Sequence, residues 1–101
     1  MSNNNLKFRI TENGGVGTGV ITEIGSSSFG FAVGDEIYRA IGKTGTGTYT
    51  ALGKYTYGPG NQSSGYRNSI LELQNNNTQL KVTQPALNAS FPEIIYIYQK
   101  Q

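Results

Sequence analysis

Leu6, Phe8 and Ile10 alternate with Lys7, Arg9 and Thr11. That period of two puts one set of side chains on a buried sheet face and the other in water. Val16 to Ile24 carries β-branched residues on both parities. Phe29, Phe31 and Val33 alternate with Gly30 and Ala32 and predict a strand. Gly34-Asp35 then reads as a turn into a further strand over 36–41. Between Thr48 and Tyr57, Thr48, Thr50 and Thr56 fall on one face, and Tyr49, Ala51, Tyr55 and Tyr57 on the other. Two strand signals, Ile70 to Leu73 and Gln79 to Val82, flank Asn75-Asn76-Asn77. An Asn run tolerates the positive φ that a hairpin turn demands. Ile94 to Tyr98 is apolar on both faces, which suits a central strand or a strand whose outer face meets another chain. No window sustains helical apolar spacing.

This pattern predicts an all-β sandwich or small barrel of about seven or eight short, mainly antiparallel strands without substantial helix. Its 101 residues suit a single domain. A polar arm covers 1–5, and the Gly/Ser/Asn stretch 58–65 reads as an exposed loop. All fourteen glycines lie between Gly14 and Gly65. Gly17 to Gly25 can be laid on Gly45 to Gly53, an internal match at an offset of 28 residues with Gly-Thr-Gly in both copies. Two such units would pair within one sheet, leaving the Gly-free segment from Tyr66 onward as a stiffer second sheet.

Composition narrows the chemistry. Asn, Gln, Ser and Thr contribute 10, 6, 8 and 10 residues, whereas charged residues make up 14% and His and Cys are absent. Thiol and imidazole nucleophiles, zinc sites of the N/S type and disulfides are thereby excluded. The six carboxylates show neither a facing pair nor a calcium-loop spacing, and Asp35 fits a turn residue bonding its own backbone. Gly15 to Gly19 lacks phosphate-loop spacing. No catalytic group, cofactor or metal is therefore expected. The eight Lys and Arg residues are scattered singly, for a net charge of +2, and read as solvated strand faces rather than a nucleic-acid surface. No apolar run reaches the roughly 18 residues of a membrane span, and residues 1–5 show no secretory signal. The seven tyrosines among many amides suit sheet packing, an adaptable interface or sugar stacking. Tyr49, Tyr55 and Tyr57 are the glycan-stacking candidates.

Three segments carry a resemblance. Gly17-Thr18-Gly19-Val20-Ile21-Thr22 is followed by Phe31-Ala32-Val33-Gly34-Asp35-Glu36-Ile37 and then by Gly45-Thr46-Gly47-Thr48-Tyr49-Thr50. This order resembles a pattern of structural β-proteins of tailed bacteriophages. It covers about Gly14 to Gly53; nothing after Tyr66 matches it. The resemblance implies a virion protein assembled in the host cytoplasm, most like a small capsid decoration (cement) protein that bridges major capsid subunits. A tail, neck or fibre component is the alternative within the family, and a carbohydrate-binding β module the alternative outside it. It further implies a homo-oligomer, with a trimer favoured. The expected contact surface comprises Leu6, Phe8 and Ile10 beside the arm, and Ile94, Ile95, Tyr96, Ile97 and Tyr98.

Overall fold

Hairpin after hairpin builds one sheet. The structure, a computed structural model, describes residues 1, 6–25, 31–57, 63–89 and 91–100, with the backbone alone at Tyr57 and Ser63. Seven strands follow in order: β1 (Leu6–Asn13), β2 (Val16–Ile24), β3 (Glu36–Gly45), β4 (Thr48–Tyr57), β5 (Ser63–Gln74), β6 (Gln79–Gln84) and β7 (Ile94–Gln99). Each pairs antiparallel with its neighbour in sequence, giving the sheet order β1-β2-β3-β4-β5-β6-β7. The sheet curls into a half-barrel, and no described residue is helical. The expected all-β class is thus present, as a single curled sheet rather than two stacked ones.

The tight connections follow from local sequence. Gly14 and Gly15 take φ of +64° and +85° between the paired Asn13 and Val16. Asn75, Asn76 and Asn77 take +51°, +55° and +66° between the paired Gln74 and Gln79. The Thr78 N–H then donates to the Asn75 carbonyl. Glycine and asparagine populate this left-handed region at little cost.

The expected strand through Phe29, Phe31 and Val33 is not formed over its described part. Phe29 and Gly30 lie outside the described residues, and residues 31–35 are a turn. Asp35 N–H donates to the Ala32 carbonyl, while the Asp35 carboxylate accepts from the Ala32 N–H. Gly34, at φ +95°, permits the reversal. Turn bonding local to Gly34-Asp35 wins over the apolar alternation, and Val33 is left exposed. The stretch 58–65 is shorter as a loop than its composition implies. Ser63, Ser64 and Gly65 pair with Tyr57, Thr56 and Tyr55.

The offset-28 match is not a structural repeat. Gly19 lies mid-strand, where a Cβ would press on Phe8 and Tyr38 at 3.2 to 3.4 Å, whereas its counterpart Gly47 forms the β3–β4 turn at φ +71°. Nor does the Gly-free segment make a second sheet, since β5 pairs with β4 from Thr48↔Glu72 to Tyr57↔Ser63. Glycine confinement marks a different boundary. Register shifts interrupt every ladder from β1 to β4 and none from β4 to β7. Small residues accommodate the bulges that bend the first half.

Curling brings the first and last strands together on the concave side. The Phe8 ring on β1 meets the Tyr98 ring on β7 edge-on at 4.8 Å. Tyr38 on β3 meets Phe8 at 5.2 Å and shares a 3.1 Å hydroxyl–hydroxyl hydrogen bond with Tyr98. Ile21, Ile41, Leu71, Leu80 and Val82 complete the core around this trio. Among the described residues β1 pairs only with β2 in the ladder, and β7 only with β6. Side chains rather than backbone close the seam. Met1 caps part of it, exchanging backbone hydrogen bonds of 2.9 Å with both polar groups of Phe8.

Candidate functional site

Among the described residues, two cavities open on either side of the aromatic and aliphatic core. The first, about 300 Å³, is lined by Arg67, Lys54, Gln84 and a cluster of rings that includes Tyr38, Tyr55, Phe91 and Tyr96. The second, about 720 Å³, lies at the other end of the half-barrel among Met1, Ile41, Tyr49, Leu73, Leu80 and Lys100.

Strand parity explains the first cavity. On β5, Arg67 and Ser69 share the inward parity of Leu71. On β6, Gln84 shares that of Leu80 and Val82. These polar residues are therefore drawn under the sheet with the core. Arg67 is 3% exposed. Its Nη2 donates to the carbonyl oxygens of Gln84 (3.2 Å), Pro85 (2.6 Å) and Pro92 (3.1 Å), tying the β6–β7 connection to the sheet. Its buried Nε has no hydrogen-bond partner among the described residues. Gln84 Nε2 donates to Ser69 Oγ at 3.2 Å, and Ser69 Oγ donates to the Arg67 carbonyl at 3.2 Å. Gly53 makes room for this chain, because a Cβ there would overlap Gln84 Nε2 and Ser69 Oγ.

The titratable groups respond to this setting. Desolvation raises the Tyr38 hydroxyl well above its ordinary value and pushes Tyr98 up to about 12. Burial also raises Tyr96, with the positive charge of Arg67 pulling the other way. Asp35 is held below the usual carboxylate range by Lys54, which donates to it at 3.0 Å, and by the Ala32 N–H. Asp35 is thus both a turn residue and one half of an ion pair. No group of three or more acids suited to a metal exists among the described residues.

The residues expected to form a contact surface divide. Leu6, Phe8 and Tyr98 are buried in the core. Ile94 and Tyr96 are half-buried and line the first cavity. Ile10, though 43% exposed, lines the second cavity, whereas Ile95 (51%) and Ile97 (39%) face outward. Ile95 stands in one cross-strand row with Thr83 and the exposed Ile70. Leu52 is exposed on the neighbouring part of β4. The glycan-stacking candidates do not share a cavity: Tyr49 lines the second and Tyr55 the first. The Tyr57 side chain lies outside the description.

Arg67 is the cavity residue that sequence reasoning missed. Counted among scattered solvated cations, it is in fact the most buried of the described ones. The signal was its parity with Leu71 and Leu73, two and three inward positions further along the strand. No family model, no curated protein and no solved structure matches this chain.

Proposed function

We propose that this chain is a contact protein of a bacteriophage virion, most like a capsid decoration protein, that binds major capsid subunits and works by covering surface rather than by catalysis. The observation that carries the reading is β7. It is an edge strand of an open half-barrel, with Ile95 and Ile97 exposed on its outer face and Ile70 in the same row. An edge strand presents unpaired backbone groups, and its apolar outer face gains free energy when a partner removes it from water. The lack of His and Cys agrees with contact as the activity. So does the Gly-Thr-Gly and Val-Gly-Asp pattern, whose Gly34-Asp35 turn sets the start of β3. Bridging neighbouring shell subunits raises the free energy needed to separate them.

Quantitative mass spectrometry of gradient-purified particles tests the proposal. The chain is expected at a copy number commensurate with the shell subunits. Particles carrying none of it, or traces that wash off, would contradict the reading. A copy number matching the tail tip or neck would select a tail component instead.

A further inference from the structure

Among the described residues Arg67 is a buried cation without a counter-charge. Three described ion pairs engage Lys7 with Glu23, Arg39 with Glu36 and Lys54 with Asp35; none reaches Arg67. A guanidinium stays protonated at any physiological pH, so it does not shed its charge on burial as Lys would. Its Nη2 carries two hydrogens and already faces three carbonyl acceptors. Its Nε carries another hydrogen, buried and unused among the described residues. An uncompensated buried charge and an unmade hydrogen bond both favour any group that supplies what is missing.

The first cavity is lined in part by Arg67. Its volume of about 300 Å³ is at the small end for organic ligands. The rings of Tyr55 and Phe91, edge to face at 5.5 Å, stand at its wall. Tyr96 and Ile94 add apolar surface from β7. Lys54 is the second cation of the wall, and Asp35 neutralises it. The surplus charge is therefore that of Arg67. We infer that this cavity is a binding site for a small organic carboxylate, whose apolar body packs on Tyr55, Phe91 and Tyr96 while its anionic end is held by Arg67. This site is independent of the outer face of β7, so it neither requires nor follows from the capsid reading.

Titration of the ¹⁵N-labelled full chain with phenylacetate, at fixed pH and ionic strength, tests the inference. Phenylacetamide serves as the neutral isostere and acetate as the anion without a body. The expected result is a saturable shift of the Arg67 Nε–H resonance and of the backbone amides of Tyr55, Phe91 and Tyr96. Phenylacetamide and acetate should each bind at least about tenfold more weakly, because each forgoes either the charge-assisted bond or the buried ring. Arg67→Met should abolish the preference for phenylacetate over phenylacetamide. Should that variant fail to fold, the Arg67 Nε–H shift in the unmodified chain decides alone. No saturable shift, equal binding of phenylacetate and phenylacetamide, or an unchanged preference in folded Arg67→Met would overturn the site.

Discussion

Ala40 holds φ at +52° inside β3, where the register shifts between Arg39 and Gly42. An L-residue with a Cβ is strained there, and glycine is not. Ala40 is exposed, so nothing is lost in packing. Ala40→Gly is expected to raise stability by about 0.5–1 kcal/mol in urea unfolding, against the usual cost of glycine in a strand. Gly53 is the opposite case. Gly53→Ala should destabilise by roughly 1–3 kcal/mol, since the new methyl meets the Ser69–Gln84 hydrogen bond beneath it. The Tyr38–Tyr98 pair fixes an alkaline limit. Its raised folded-state values favour the neutral hydroxyls, so this contribution is complete below the ordinary pKa of 10 and is lost as pH climbs from there toward about 12. The urea midpoint should fall over that window, and less steeply in Tyr98→Phe. At this scale the sequence was legible where a residue's backbone preference decides, as at Asn75 to Asn77 and Gly34-Asp35. It was not legible at Arg67, where a charged side chain follows strand parity against its own solvation.

The elements divide at β4. Uninterrupted pairing runs from Thr48↔Glu72 to Tyr57↔Ser63 and continues through β6 to β7, whereas the ladders before it are bulged. Amides exchange slowly where ladders are continuous and covered on both sides. Hydrogen exchange should therefore be slowest in the paired parts of β4 and β5 and faster in β1 and β7. Protection highest in β1 would contradict this order. Strand existence was legible from alternation alone at Leu6 to Ile10 and Thr48 to Tyr57. The bulges were not, because one inserted residue flips the parity that alternation relies on, as between Ile37, Tyr38 and Ile41, all three buried. The described part of the strand expected through Phe29, Phe31 and Val33 shows the reverse error: over 31–35 a Gly-Asp turn overrides apolar period.

For the whole molecule, periodicity identified strands but said nothing of which pair, so one meandering sheet and two packed sheets were equally consistent with it. Long-range contacts among Phe8, Tyr38 and Tyr98 decide the matter by closing a curled sheet over its own concave face. The double apolar character of β7 follows: Tyr98 serves the interior while Ile95 and Ile97 face outward. Tyr96→Asp should lower stability by about 2 kcal/mol or more by placing a charge at the apolar wall of the first cavity. Ile95→Asp should change the urea midpoint by less than about 0.5–1 kcal/mol, because the position is already in water.

That asymmetry allows the outer face of β7 to be tested without disturbing the fold. The most direct measurement is binding of the purified chain to phage particles lacking it, quantified for the unmodified protein and for Ile95→Asp. A contact function through β7 predicts saturable binding of the unmodified chain and at least about a tenfold loss of affinity in Ile95→Asp, a loss of about 1.4 kcal/mol. Failure of the unmodified chain to bind, or equal binding by folded Ile95→Asp, would contradict it.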